Sequence, residues 1–202
     1  PKGGLLPMFT AGGHLDIELG NGLARQYSIS SDPADVDRYV IAVLREPESR
    51  GGSVWMHDSL KEGDAVTVHT PRNNFPLSDQ AKHHILMAGG IGVTPMMAMA
   101  RDLSARGESF EMHYCTRTPA RTAFKEEIAA SDFADNIHFH HDNGNPADGF
   151  DIAGFLKAVR DGAHVYYCGP GGFMHACEQA ADHWPRGTVH FEFFSVDETV
   201  EH

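Results

Sequence analysis

The chain has 202 residues with 41% apolar side chains, enough for one large or two small cores and too apolar for a disordered chain. A formal charge of −12 sets aside nucleic acid and anionic membranes as general partners, and no apolar run approaches the roughly 18 residues that span a bilayer. The three cysteines, Cys115, Cys168 and Cys177, form no Cys-x-x-Cys, which fits reduced thiols in a cytoplasmic protein and leaves no ligand set for a plant-type iron–sulfur cluster.

Residues 1–79 read as β structure. Leu15–Leu19 alternates apolar and polar side chains, and Ala24–Ser30, Tyr39–Leu44 and Ala65–Thr70 are further strand candidates. Turn chemistry separates them at Gly20-Asn21-Gly22, Ser31-Asp32-Pro33 and Glu62-Gly63-Asp64. One helix is expected over Ser53–Leu60. Short strands with frequent turns point to a small antiparallel barrel.

Two motifs in this half carry polar chemistry. Arg25-Gln26-Tyr27-Ser28 is expected to place an arginine, a tyrosine and a serine on one strand face, suited to stacking on a planar ligand and meeting a phosphate. An ordinary solvated face with one half-buried tyrosine has the same pattern. Arg50-Gly51-Gly52-Ser53 leads into the helix, with Ser53 as its cap, and reads either as an anion cradle or as a plain turn.

From residue 80 strands and helices alternate. Strands are expected at Ile85–Ala88, Phe110–Cys115, Ile137–His141, His164–Cys168 and Val189–Phe194. Helices are expected at Pro95–Ala105, Ala123–Ala130, Asp151–Arg160 and Phe173–His183. This βαβ alternation implies a doubly wound, five-stranded parallel sheet with ligands at the carboxyl ends of its strands. Pro76-Leu77-Ser78-Asp79 marks the boundary between the halves.

Gly89-Gly90-Ile91-Gly92-Val93-Thr94-Pro95 follows the first of these strands. Thr94 suits an N-cap and Pro95 the first position of an amphipathic helix. Glycines here let main chain approach a phosphate at a helix start, which suits a dinucleotide, although such turns also serve packing alone. Cys168-Gly169-Pro170 is expected on the same rim, with the thiol lining a pocket or simply buried. Nothing nearby lowers the pKa of Cys168, so no thiolate nucleophile is expected. His138 and His140 share a strand face, but no carboxylate stands at HExxH-like spacing, so no metal site is expected. The absence of Gly-x-Ser-x-Gly argues against serine hydrolysis.

Seven motifs in order give a specific resemblance over essentially the whole chain: Arg25–Ser28, Arg50–Ser53, Pro71–Leu77, Gly89–Pro95, Thr116-Arg117, Tyr167–Pro170 and His190–Phe194. The set resembles the phthalate dioxygenase reductase and vanillate demethylase reductase group of the ferredoxin–NADP reductase superfamily. That resemblance implies an FMN-binding barrel over residues 1–79 and an NADH-binding α/β domain over 80–195. Residues 196–202 would be a linker or tag remnant.

Carried over by position, Arg25 and the loop of Arg50, Gly51, Gly52 and Ser53 would hold the FMN phosphate region, with Gln26 among the cofactor-binding residues. Tyr27 would pack on the isoalloxazine, Ser28 would bond near its N5 edge, and Ala42 and Val43 would touch the ring. Leu44 stands where the family often has a lysine. Gly90, Gly92, Thr94 and Pro95 would surround the pyrophosphate, with Thr116, Arg117 and Asp142 on the adenosine side. Cys168, with Gly169 and Pro170, would sit by the nicotinamide, and Phe194 would cover the other flavin face. Ser28, Cys168 and Phe194 are the expected catalytic set.

The implied activity is hydride transfer from NADH to FMN, then one-electron delivery to a [2Fe-2S] centre that feeds a Rieske-type aromatic oxygenase or O-demethylase. The family usually has two more barrel strands before the Pro1 position and a ferredoxin domain after the Phe194 position. The cluster is therefore expected on a missing domain or a separate partner. A free-flavin or ferric reductase, or a non-catalytic flavin-binding electron-transfer subunit, are the alternative readings.

Overall fold

The computed structural model describes residues 5–46 and 48–194. Two sheets carry the fold. In the first, β1 (His14–Glu18), β2 (Ala24–Ser28) and β3 (Thr67–Val68) are antiparallel in the order β2-β1-β3. The β1–β2 hairpin turns at Gly22, whose φ of 82° is left-handed and open to glycine. Leu15, Ile17 and Leu19 are buried beneath it.

In the second sheet, β4 (His83–Gly89), β5 (Phe110–Thr116), β6 (Ile137–His141), β7 (Ala163–Cys168) and β8 (Val189–Glu192) lie in the order β6-β5-β4-β7-β8. Every pairing is parallel. The order reverses at β4, so the crevice at the ends of β4 and β7 is the place where such sheets hold ligands. Helices α2 (Val93–Arg106), α3 (Lys125–Ala129), α4 (Ile152–Leu156) and α5 (Gly171–Ala181) complete this half, and α1 (Gly52–Asp58) belongs to the first.

The period of two along β4 and β7 divides the apolar residues between two layers. Leu86, Ala88, Tyr166 and Cys168 face a core that also takes in Leu15, Ile17, Ile29 and Phe75 from the first half. Ile85, Met87, Val165 and Tyr167 face Leu156, Met174, Cys177 and Trp184 on the other side. Helix α2 lies within the first layer. Every residue from Val93 to Ala100 is buried, so its first two turns are apolar all round rather than amphipathic. Polarity begins at Arg101, which donates to the Ser30 carbonyl and pairs with Glu127.

Several expected elements differ. Tyr39–Leu44 forms a single bridge, Ile41 to Ile29, and no strand. The N–H of Val40 donates to the Ser31 hydroxyl at 3.1 Å instead of to a neighbouring strand. Ala65–Thr70 shortens to two strand residues, all six positions being exposed. Helix α4 stops at Leu156 because side chains take its last carbonyls: Trp184 Nε1 donates to Leu156 O at 2.9 Å, and His183 Nε2 lies 3.0 Å from Lys157 O. Helix α2 starts at Val93 and not at Pro95, because Gly90–Gly92 forms a 3-10 turn that runs straight into it. Thr94 is therefore inside the helix, and its hydroxyl donates to Ile91 O at 3.0 Å rather than capping.

Tyr166 fastens the segment between the halves to β7: its buried hydroxyl accepts the Ser78 N–H at 2.9 Å. Its ring stacks on His190 at 4.6 Å. Tyr166→Phe keeps the ring and strands that N–H, and should cost about 1–2 kcal/mol in urea unfolding. An unchanged midpoint would show that the hydroxyl does not brace this joint.

Candidate active site

The carboxyl rim of the parallel sheet brings two glycine turns into contact. A Cβ added at Gly92 would lie 2.1 Å from the Cys168 carbonyl oxygen, and one at Gly169 would lie 3.0 Å from Gly89 Cα. No side chain fits between these turns. Gly90, with φ of 52°, takes the left-handed conformation that opens the 3-10 turn. Gly92 thus packs against Cys168 and Gly169, and Gly89 against Gly169 and Pro170.

The hairpin of the first sheet reaches the same rim. Cross-strand register places His14 opposite Ser28 and Asp16 opposite Gln26, while Leu15 lies opposite Tyr27 and Ile17 opposite Arg25. Partners across a pair share a face. Gln26 and Ser28 therefore look toward the rim, and Arg25 and Tyr27 lie on the opposite face. The expectation that an arginine, a tyrosine and a serine share one face fails because 25 and 28 differ by an odd number.

His14, Gln26, Ser28, Glu192, Phe193 and Phe194 line a notch of about 50 Å³ between the two sheets. Ser28 Oγ is 3.5 Å from Glu192 Oε2, and His14 Nδ1 is 3.9 Å from Glu192 Oε1. Glu192 is the register partner of Cys168, so its carboxyl and the thiol stand side by side. Burial pushes the Glu192 carboxyl up to about 7, with the Ser28 hydrogen bond opposing in part. Burial, reinforced by the nearby Glu192 charge, also pushes the Cys168 thiol far up, so it is protonated and neutral. Burial holds His14 below the usual histidine range, with Asp16 opposing and Arg72 assisting. Both ring nitrogens of His14 are buried without a hydrogen-bond partner among the described residues. A planar ligand with a polar edge suits that combination.

The loop of Arg50 to Ser53 lies against the far face of the hairpin. Arg25 lies over Gly52, where an added Cβ would meet its side chain at 2.9 Å, and donates to the carbonyls of Ala24 and Arg50. Ser53 does not cap α1. Gly51 is the N-cap, in the left-handed region, and Ser53 Oγ accepts the Glu46 N–H at 3.2 Å, because the helix begins one residue early. Ser49 takes the capping part through the N–H groups of Gly51 and Val54. His57 Nε2 lies 2.7 Å from Val43 O, which draws the segment of Ala42, Val43 and the exposed Leu44 beside α1.

Thr116 and Arg117 meet Asp142 at the carboxyl ends of β5 and β6. Asp142 N–H donates to Thr116 O at 3.3 Å, and Asn143 N–H to Arg117 O at 2.8 Å. The Thr116 hydroxyl is committed to Thr122 and His141, at 2.8 and 2.9 Å. His14 and Glu192 are the residues that the expected site lacks. Glu192 stands inside the quoted His190–Phe194 motif, and its only sequence signal is a carboxylate between aromatic residues at a strand end. A further cavity of about 340 Å³, lined by Glu18, Trp55, Leu60 and Val66 among others, contains none of the expected site residues.

Known proteins give the geometry a family. The chain is 46% identical over 200 residues to phthalate dioxygenase reductase of Burkholderia cepacia, covering 98% of this chain and 62% of that protein. It is 44% identical over 200 residues to vanillate O-demethylase oxidoreductase of a Pseudomonas strain, covering 98% and 63%. Over nearly its whole length the chain is similar to the phthalate dioxygenase reductase and vanillate O-demethylase oxidoreductase group. The reductase subunit of a tert-butanol monooxygenase from Aquincola tertiaricarbonis is 48% identical over 192 residues, 95% of this chain and 57% of that one. A solved phthalate dioxygenase reductase, described as a modular structure for electron transfer from pyridine nucleotides to [2Fe-2S], superimposes with a TM-score of 0.93 and covers 98% of this chain and 62% of its own. The fold is therefore ferredoxin reductase-like. The chain spans about three fifths of the length of these reductases. No family model matches it.

Glu192 gives this reductase fold a pH dependence of definite sign. The folded carboxyl keeps its proton up to about 7, whereas the ordinary value is 4.5. The stability that this group contributes is complete below the ordinary value and is lost as pH rises through 7, a drop of about 3 kcal/mol. Urea unfolding at about pH 5 and about pH 8 should show that Glu192→Gln removes this part of the drop. Equal pH slopes in both proteins would place the proton elsewhere.

Proposed function

We propose that the chain is the flavin- and nucleotide-binding part of an NADH-dependent flavin oxidoreductase. It would be the reductase component that passes electrons through FMN to a [2Fe-2S] centre serving a Rieske-type aromatic oxygenase or O-demethylase. The observation that carries this is the notch where His14, Gln26 and Ser28 of one sheet meet Glu192 of the other and Phe193 and Phe194 after it, with Cys168 the register partner of Glu192 and its carbonyl against Gly92. The names of relatives at 44–48% identity, two reductases and a vanillate O-demethylase oxidoreductase, support it.

A bound flavin supplies hydride acceptance and one-electron release, and the protein's share is positioning and electrostatics. The 3-10 turn and the start of α2 offer free main-chain N–H groups to a pyrophosphate, and Gly90 and Gly92 keep side chains out of that approach. Ser28 presents a hydroxyl at the edge of the notch. His14 offers two unsatisfied nitrogens to a polar ring edge. Cys168, buried and neutral, stands behind Glu192 as its register partner. Glu192 holds a proton within reach of Ser28. Phe194, 44% exposed at the end of the chain described, is free to cover a ring or to yield to a second one.

FMN in preference to FAD rests on the resemblance of the Arg25–Ser28 and Arg50–Ser53 motifs. NADH in preference to NADPH rests on the same resemblance; at the β6 rim Asp142, whose N–H donates to Thr116 O, offers a carboxylate that opposes a 2′-phosphate, while Arg117 offers a cation that would favour one. Residues 1–79 are proposed as the flavin-binding unit and 80–195 as the nucleotide-binding unit. Ser195 and residues 196–202, the proposed linker or tag remnant, lie outside the described residues. The electron acceptor is a ferredoxin-type domain or protein, because the cysteines Cys115, Cys168 and Cys177 are placed apart on β5, β7 and α5. Among the described residues no helix is long and apolar enough to cross a membrane.

Two measurements test the reading. Flavin should stay with the protein through gel filtration, FMN more tightly than FAD, and kcat/KM should favour NADH over NADPH by about tenfold or more. Flavin lost on the column would favour a free-flavin reductase. Phe194→Ala should retain FMN and change the rate of flavin reduction or the affinity for NADH by roughly tenfold. Unchanged stopped-flow kinetics would remove Phe194 from the site.

A further inference from the structure

The opposite end of the parallel sheet carries a second cluster that the proposed reductase chemistry does not use. Glu111 and His113 are two apart on β5 and so point to one side of the sheet. His138 on β6 is the register partner of His113. One ligand atom from each of the three lies within 4.8 Å of the others. These residues sit toward the amino ends of their strands, with His83 at the first position of β4 beside them, whereas the cofactor rim is at the carboxyl ends. No HExxH-like spacing marks His138 in the sequence, but pairing with β5 supplies a carboxylate from the neighbouring strand.

We propose that Glu111, His113 and His138 form a binding site for a borderline divalent transition metal of the Zn²⁺ type. Two imidazoles and one carboxylate form a donor set that zinc accepts with a fourth position left to water. That set disfavours Mg²⁺ and Ca²⁺, which require more oxygen donors. Tetrahedral zinc separates its ligand atoms by about 3.4 Å, so closing the cluster asks for rotamer-scale adjustment only.

The supporting residues are arranged as metal sites arrange them. Glu111 Oε1 accepts from Arg160 Nη1 at 2.5 Å and lies 3.1 Å from His83 Nε2. The other oxygen, Oε2, is left facing His113 Nε2 at 3.2 Å. His113 Nδ1 lies 3.0 Å from His140 Nε2. Its ring is buried and stacks on Phe150 at 4.6 Å. The metal takes the place of the hydrogen between His113 Nε2 and Glu111 Oε2, and neutral His113 carries its one ring hydrogen on Nδ1, donating it to His140 Nε2 with no net release of a proton. Arg160 already neutralises part of the Glu111 charge, and His83 Nε2 lies against the same oxygen, which points to moderate affinity. His138 is exposed and gives the metal its entry. Once bound, the ion clips the edge strand β6 to β5.

Calorimetric titration of chelator-treated protein with Zn²⁺, alongside thermal unfolding with and without Zn²⁺, tests the proposal. Wild type should bind one equivalent and gain thermal stability. His138→Ala, a change at an exposed position, should weaken binding about tenfold or more and abolish the stabilisation. His175→Ala, on the surface of α5, should bind as wild type does, which sets the site apart from scattered histidines. Absence of a saturable event up to about 1 mM Zn²⁺, or equal affinity in His138→Ala, would overturn the proposal.

Discussion

A half-buried carboxylate at the junction of two sheets sets the terms for the rest of this structure. Glu192 ends the edge strand of the parallel sheet, and the hairpin of the first sheet closes over it through Ser28 and His14. Removing a carboxyl from water without a strong partner is costly, and the fold answers by keeping the proton on it to about neutrality. His14 beside it bears a second cost, with two buried nitrogens unsatisfied. Such costs gather where a ligand is expected to relieve them. A purely structural joint would hold apolar side chains there.

That junction stays in register because of α2. The helix is buried all round through its first eight residues and packs against both sheets, so its methionines and Leu103 tie the hairpin to the parallel sheet. The same helix begins at the Gly90–Gly92 turn. Its start is therefore fixed by the core on one side and by the main chain of Cys168 and Gly169 on the other. Positioning of the cradle and of the notch is one mechanical problem with one solution, and Tyr166 secures the connecting segment to it.

Much of this was legible in the sequence, for identifiable reasons. The five parallel strands are all legible to within two residues of their ends, β4 and β7 most plainly, since each is an apolar run that ends at glycine. The rim turns announced themselves because close main-chain approach leaves glycine no substitute. Tyr39–Leu44 misled because a serine hydroxyl competes for the Val40 N–H, which apolar alternation does not reveal. Ser53 and Thr94 looked like caps, yet glycines ahead of them already adopt the turn conformation that starts each helix. The odd spacing between Arg25 and Ser28 was in plain view and still divides the motif between two faces. His14 and Glu192, like Glu111 and His113, matter through cross-strand register, which becomes visible only once the pairing is known.

The account stands most directly on whether electrons pass across the Ser28–Glu192 junction. FMN-loaded protein titrated with NADH without oxygen should lose its yellow absorbance in proportion to the nucleotide added. Protein that binds FMN and keeps its colour under excess NADH would contradict the assignment of this notch as the meeting place of the two cofactors.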